Sequence, residues 1–278
     1  MTRPSPPCPD VDRIVPLSPE GTAAPLFCVH ASSGSAYSYL PLAQLLGADQ
    51  PVYGIEAPGF EGDQEPVPSV PDLSARYTAA LRESVPDGVV HLLGWSLGGL
   101  IVFDMARRLA EAGAEVGQVV LVDTSPPFPS PVPPERETVR RFLHDVTASL
   151  GVECGAELDA LTAGFAGDAD AVFRQVEQSR ALPPELEADL LSERYTVFRA
   201  HVRAVHAYQA PGRYHGPAWH LLASHSPPQD GRWARLVPDL TEHTIPGDHH
   251  SIWLGDGLQR IAGLTRAALA GLPHAEGN

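Results

Sequence analysis

The sequence predicts an α/β fold in which a mostly parallel sheet carries helices on both faces and is interrupted by a helical insertion. Short apolar runs of strand length alternate with longer segments of helical period, an order typical of parallel strands joined by crossover helices. The runs are apolar throughout rather than alternating, which indicates that both faces of the sheet are covered. A length of 278 residues with 43% hydrophobic composition suits one large domain of this kind.

The first half of the chain contains most of the predicted sheet. A proline-rich tail leads into an edge strand near 14–17, and apolar runs predict strands at 25–30, 51–55, 89–93 and 118–122. Two segments predict helices, at 72–81, with Pro71 suited to the first turn, and at 97–112, closing at Gly113. These elements alternate in the order that a parallel sheet requires.

The character of the sequence changes after residue 123. A stiff proline segment at 126–134 precedes two or three helical patterns that extend to about residue 208. Insertions of this kind commonly act as lids, so we predict a helical lid at 126–208. The domain boundaries expected from these patterns are a tail and edge strand at 1–24, a core at 25–125 and 209–272, and a second tail at 273–278. The second core segment holds strands at 218–222 and 240–245 and a closing helix at 257–272.

Composition excludes several classes of partner. The net charge is −15, and all 19 basic residues are arginine, which argues against binding to nucleic acid or to anionic membrane surfaces. No run of eighteen apolar residues and no signal-peptide pattern occurs, so we expect a cytoplasmic protein. Three cysteines are too few and too scattered for a disulfide framework or a zinc site. We therefore expect no metal and no resident cofactor.

The segment Gly94-Trp95-Ser96-Leu97-Gly98 fits the G-x-S-x-G pattern. It directly follows a predicted strand and opens a predicted helix, which is the setting of the nucleophile in the α/β-hydrolase fold. We expect Ser96 to be the nucleophile and the Leu97 N–H to stabilise an oxyanion. The second oxyanion donor should come from the loop after the strand at 25–30, where Ser32 is the first candidate and Ser33 the alternative.

A serine nucleophile needs a base and a carboxylate that orients the base. The base in this fold follows the last strand, and His249 in the loop 246–253 is the expected residue, with His250 as its rival. Two strand ends offer a carboxylate, Asp123 after the strand at 118–122 and Asp230 after the strand at 218–222. Because both loops reach the same sheet edge, the residues alone do not decide between them.

Two predicted lid helices carry apolar faces. Phe142 and Val146 lie on the face of one, and Tyr195 and Phe198 on the face of another. Part of each face must pack on the sheet domain, but two such helices above one active site should also line a substrate pocket. We therefore expect these four side chains to contact the substrate.

Five motifs, spread over most of the chain, resemble the thioesterase domains of nonribosomal peptide synthetases and polyketide synthases. They are the oxyanion-loop strand at 25–30 with Gly34, the elbow at 94–99, the strand end at 121–123, the helix at 198–208 and the histidine loop at 247–249. That family places its acid at the end of the strand after the nucleophile helix. The resemblance therefore selects Asp123 over Asp230.

The resemblance also implies a reaction and a partner. The acyl chain would arrive as a thioester on the phosphopantetheine of an acyl or peptidyl carrier protein and pass to Ser96. It would then leave by hydrolysis or by macrocyclisation. The chain would be either an excised terminal domain or a discrete thioesterase acting in trans, and we favour the discrete enzyme. Neither nucleic acid nor a membrane is expected as a partner.

Two other functions fit parts of the sequence. A carboxylesterase or lipase acting on free small esters would use the same nucleophile and base, with Asp230 as the expected acid. A non-catalytic binding module could also reuse this fold, since a fold alone does not establish function.

Overall fold

The computed structural model describes residues 10–62, 64–152, 154–229 and 231–271, and a seven-stranded sheet forms its centre. The strands are β1 Ile14–Ser18, β2 Leu26–Val29, β3 Val52–Ile55, β4 Val90–Trp95, β5 Val116–Val122, β6 Ala218–Ala223 and β7 Leu240–Ile245. Their order across the sheet is β1-β3-β2-β4-β5-β6-β7. Only the edge strand β1 pairs antiparallel, with β3, so the predicted mostly parallel sheet is confirmed.

The described residues form nine α-helices. They are α1 Leu40–Leu46, α2 Val70–Ser84, α3 Leu97–Glu111, α4 Glu135–Leu150, α5 Gly155–Ala163, α6 Ala169–Ser179, α7 Ala188–Ala207, α8 Arg232–Leu236 and α9 Gly255–Leu269. The sequence did not predict the short helices α1 and α8. None of these helices combines the length and the apolar character needed to cross a membrane.

The insertion between β5 and β6, which we call the lid, contains four helices, α4 to α7, where two or three helical patterns were predicted. In α5 only Leu158 and Thr162 are buried, and so few buried positions leave little helical period in the sequence. The four helices pack around their own aromatic cluster, in which the ring of Phe142 lies 5.4 to 5.6 Å from those of Phe173, Tyr195 and Phe198. The lid thus has a core of its own.

Helices cover both faces of the sheet. On one face, α2 and α3 bury a cluster that includes Tyr77, Ile101 and Phe103. On the other, α1 and α9 bury a second cluster that includes Leu42 and Ile261. The apolar strands lie between these clusters, as the absence of polar alternation in their sequences predicts.

The strand order positions the functional site. From β2 the chain moves outward to β3 and then returns to β4 on the other side of β2. The loops that follow β2 and β4 therefore diverge from neighbouring strand ends, and a crevice opens between them. In open α/β sheets ligands bind at such a switch point, beyond the carboxyl ends of the strands.

Candidate active site

Ser96 occupies a sharp turn between β4 and α3. Its backbone has φ 56° and ψ −120°, a conformation that a residue with a side chain adopts only when the surroundings impose it. Its N–H donates to the carbonyl of Val122 at 3.1 Å, which fixes the turn against β5. A Cβ atom on Gly94 would overlap the backbone of Gly98, and one on Gly98 would overlap the Val29 carbonyl oxygen. Both glycines are therefore required by close approach, and the turn holds Ser96 clear of the backbone.

Asp123 and His249 form a hydrogen-bonded pair at the same sheet edge. The Nδ1–H of His249 donates to Oδ2 of Asp123 at 2.6 Å, because a carboxylate can only accept. The carboxylate also accepts from the Ala223 N–H at 2.9 Å and from the Ser226 hydroxyl at 2.8 Å. Burial alone would raise the pKa of Asp123, but these hydrogen bonds outweigh it and hold the pKa below its ordinary value. The carboxylate is thus ionised and fixed in position.

The rival histidine lies elsewhere in the same loop. The His250 ring packs edge-on against Trp95 at 5.5 Å, while Trp95 also contacts the His249 ring at 4.9 Å. Burial, reinforced by the nearby His249, lowers the pKa of His250 to about 4. The structure therefore places His249, rather than His250, against Asp123. The alternative acid, Asp230, lies outside the described residues.

Ser96 and His249 line the same two cavities. One, of about 270 Å³, also contacts Asp123 and Leu97, and the other, of about 280 Å³, contacts Ser32. Leu97 and Ser32, the residues expected to supply the oxyanion donors, thus each line a cavity that Ser96 also lines. No hydrogen bond joins the Ser96 hydroxyl to the His249 ring within the described residues. In hydrolases without substrate this contact is often long.

Two buried histidines hold the carbonyl groups of the loop after β2. His201, on α7, donates from Nδ1 to the Ser32 carbonyl at 2.9 Å, and His30 donates in the same way to Ala31 at 2.7 Å. The Nε2 atom of His30 accepts from the Tyr77 hydroxyl at 2.7 Å. Burial lowers the pKa of His30 to about 3 and that of His201 to about 4. Both rings are therefore neutral, and they fix the loop without adding charge.

The lid side chains expected to contact substrate occupy different places. Phe142 and Val146 line a cavity of about 450 Å³ beside the Ser96 cavities, and Phe198 lines the cavity that contains Ser96 and His249. Tyr195 lines none of these cavities: its ring lies in the lid core and its hydroxyl donates to Glu135 at 2.8 Å. An apolar helix face in the sequence does not show which neighbouring element it will pack against.

Sequence reasoning missed three residues of the site. His201 was not among the histidines considered for the site, but it connects the lid to the loop after β2. Ser226 lies in the loop after β6, which was considered only for Asp230. Trp95 lies within the G-x-S-x-G segment, so its place next to Ser96 was visible in the sequence, although its contact with His249 was not.

The arrangement is suited to nucleophilic acyl transfer. Because Nδ1 of His249 is bound to Asp123, the Nε2 atom is left as the acceptor for a serine proton. In the described part of the chain, no three side chains of the metal-binding types are grouped closely enough to hold a metal ion.

The sheet order, the sharp turn at Ser96 and the hydrogen-bonded His249–Asp123 pair define an α/β-hydrolase. Comparison with family models then identifies the particular family. The model for the thioesterase domain matches residues 24–269, so the chain belongs to the thioesterase domain family. This agrees with the resemblance seen in the motifs of the sequence.

Individual relatives support the same assignment. The chain is 41% identical over 117 residues to a dimodular nonribosomal peptide synthase of Bacillus subtilis, covering 42% of this chain and 5% of the relative. It is 30% identical over 266 residues to the non-reducing polyketide synthase atnG of Arthrinium sp, covering 90% of this chain and 13% of the relative. The solved structure of the NocB thioesterase domain from the nocardicin cluster matches with a TM-score of 0.62 and 26% identity, covering 94% of this chain and all of that one. The chain is thus similar to a small part of each synthase.

Proposed function

We propose that this thioesterase takes an acyl chain from the phosphopantetheinyl thioester of a carrier protein, forms an acyl-Ser96 intermediate, and releases the chain by hydrolysis or macrocyclisation. The observation that supports the proposal most is the hydrogen bond of 2.6 Å between His249 and Asp123 in the cavity that Ser96 lines. Membership of the thioesterase domain family supplies the class of bond that is cleaved.

In the acylation step, Nε2 of His249 accepts the proton of the Ser96 hydroxyl while Oγ attacks the thioester carbonyl carbon. Asp123 stabilises the imidazolium that forms. The negative charge that develops on the carbonyl oxygen is stabilised by the N–H groups of Leu97 and Ser32. When the tetrahedral intermediate collapses, the C–S bond breaks and the imidazolium returns its proton to the thiolate.

Deacylation repeats these steps with a new nucleophile. A water molecule, or a hydroxyl or amine of the bound chain, loses its proton to His249 and attacks the acyl-serine carbonyl. The C–O bond to Ser96 breaks, and the imidazolium returns the proton to the serine oxygen. A water nucleophile gives a free acid, whereas an internal nucleophile gives a ring.

The cavity of about 450 Å³ beside the site supports an acyl substrate with apolar character. Its lining includes Phe142, Val146, Leu186 and Trp253, and pockets lined in this way bind mainly by burial of apolar surface. We expect kcat/KM to increase from acetyl to hexanoyl to decanoyl thioesters. Each added pair of methylenes should lower the activation free energy by about 1 kcal/mol, a value that allows for imperfect burial. Each acyl group should also react faster on a phosphopantetheinyl carrier than on a truncated thiol. A flat series with no advantage for the carrier would contradict the proposed substrate.

A fluorophosphonate probe tests whether Ser96 is the reactive serine. The wild-type protein should be labelled once, on the peptide that contains Ser96, and Ser96→Ala should not be labelled. Matched ester and thioester substrates of the same acyl group should then be compared. A higher kcat/KM for free esters, with no advantage for the carrier-bound thioester, would indicate a carboxylesterase instead.

A further inference from the structure

Asp145 lies on the lid helix α4 at the boundary between two cavities. Its side chain lines the cavity of about 280 Å³ that contains Ser96 and His249, and also the apolar cavity of about 450 Å³. Trp95 and His250 are the other residues that line both. A chain attached to Ser96 and extending into the apolar cavity must therefore pass the Asp145 carboxylate.

The carboxylate of Asp145 has no hydrogen bond and no ion pair within the described residues. Among the other ionisable side chains along this route, Arg194 keeps its positive charge, and the rest are paired or neutral. Arg140 and Arg141 bind Glu137, His144 binds Asp159, His206 binds Ser130, His249 binds Asp123, and Arg194 donates to the Phe60 carbonyl. His250 is neutral, since its pKa is about 4. Asp145 is thus the carboxylate on this route whose negative charge is left uncompensated.

A partly buried carboxylate without a hydrogen bond or an ion pair is unfavourable for the protein alone. Burial raises the pKa of Asp145 to about 6, although the nearby His249 acts in the opposite direction. Most of the carboxylate is nevertheless ionised at neutral pH. A cation that binds in the passage would offset the cost of desolvation, because a carboxylate and an ammonium group form a short, charge-assisted hydrogen bond.

We propose that Asp145 determines specificity by binding a cationic amine on the acyl chain, so that amino-substituted acyl thioesters are preferred over uncharged chains of the same length. The inference rests on the proposed function, in which the chain is held on Ser96. It refines that function, because the apolar lining accommodates the carbon skeleton while Asp145 selects one charged group on it. The substrate class is therefore an aliphatic acyl chain that carries a basic nitrogen.

Matched substrates measure this selectivity directly. Pantetheine thioesters of hexanoate, norleucine, 3-aminohexanoate and 6-aminohexanoate have the same chain length and place the amine on carbon 2, 3 or 6. For each, kcat/KM is measured with the wild-type protein, Asp145→Asn, Asp145→Glu and the control Asp189→Asn, an exposed lid carboxylate that lines neither cavity. Comparing each substrate across the variants cancels its intrinsic reactivity.

We expect the wild-type protein to prefer at least one amine position over hexanoyl. Asp145→Asn should lower that preference by about 10- to 100-fold, the range for a hydrogen bond to a charged group, and change hexanoyl turnover by less than about threefold. Asp145→Glu should retain part of the preference, and Asp189→Asn should retain all of it. The proposal is wrong if no amine position is preferred, or if Asp145→Asn slows every chain equally, as expected if Asp145 acts only through His249.

A binding measurement checks the same interaction without turnover. Hexylammonium should slow fluorophosphonate labelling of Ser96 more than hexanol does in the wild-type protein, and this difference should disappear in Asp145→Asn. Normal labelling with equal protection by the two compounds would overturn the role of Asp145 alone. Failure of Ser96 to react at all would overturn the proposed function, and the role of Asp145 with it.

Discussion

The sheet domain and the lid differ in how they relate to the site. In the sheet domain, backbone pairing brings strand ends together, and the residues that follow β4, β5 and β7 meet at one edge. The lid instead packs around its own aromatic cluster and contacts the site through side chains of α4 and α7. One contact is His201, which binds the Ser32 carbonyl and stacks on His30 at 4.9 Å. We infer that the sheet domain positions the reacting groups, whereas the lid determines which acyl substrate is accepted.

The largest effect should come from Ser96, the proposed nucleophile, in the sheet domain. Ser96→Ala removes the only hydroxyl that the proposed mechanism acylates, so turnover should decrease by on the order of 10⁶-fold. Steady-state hydrolysis of a carrier-bound thioester measures this loss, and far-UV circular dichroism controls for folding. Turnover within a hundredfold of wild type would place the nucleophile elsewhere.

Replacement of Asp123, the proposed acid, should cause the next largest loss of activity. Asp123→Asn should lower kcat by roughly 10⁴-fold, because an asparagine no longer holds His249 in the required tautomer. Asp230→Asn should cost at most about tenfold, as expected for a residue outside the triad. Both variants are compared in one kinetic assay. The reverse order would support the esterase pattern, in which Asp230 is the acid.

The independence of the lid core can be tested by a cavity-forming substitution. Phe173→Ala should lower the stability of the lid by about 3 kcal/mol, since Phe173 is fully buried among Phe142 and Tyr195. In hydrogen exchange, amides of α4 to α7 should lose protection while those of β4 and β5 keep theirs. The matched substitution Phe103→Ala, in the core of the sheet domain, should lower protection in the strands. Equal loss in both regions for Phe173→Ala would show that the lid is not a separate unit.

The smallest expected effect concerns stability and Asp145. Its folded pKa of about 6 lies above the ordinary value of 3.8, so ionisation destabilises the folded state. This destabilisation is complete above about pH 6 and disappears as the pH falls below 3.8. Asp145→Asn should therefore raise the free energy of unfolding at pH 7.5 by about 1 kcal/mol, and by less at pH 4.5. The value is smaller than the pKa shift alone implies because the side chain is only half-buried, so solvent screens its charge. Urea unfolding at both pH values measures the change, and a loss of stability at pH 7.5 would contradict it.

Much of the sheet domain was predictable because its signals are local. Apolar runs without alternation predicted the strands, and the segment around Ser96 combined a strand, a turn and a helix in one short stretch. The choice between Asp123 and Asp230 was different, because two loops reach the same edge and the residues alone left both open. The resemblance to a family, rather than periodicity, selected Asp123.

The lid was harder to predict for a physical reason. Helical periodicity identifies an apolar face but not the surface against which that face packs. Tyr195 and Phe142 show equally apolar positions in the sequence, yet only Phe142 lines a cavity beside the site. The contact between His201 and Ser32 joins residues 169 positions apart, and no local pattern signals such a bond.

Intact mass spectrometry tests the central claim, acylation of Ser96, most directly. After brief incubation with an acyl-loaded carrier protein, the wild-type protein should gain the mass of one acyl group, and digestion should locate it on the peptide that contains Ser96. Asp123→Asn should gain it more slowly, and Ser96→Ala should not gain it. An adduct of the same mass on Ser96→Ala, or on a peptide that lacks Ser96, would contradict the assignment of the nucleophile.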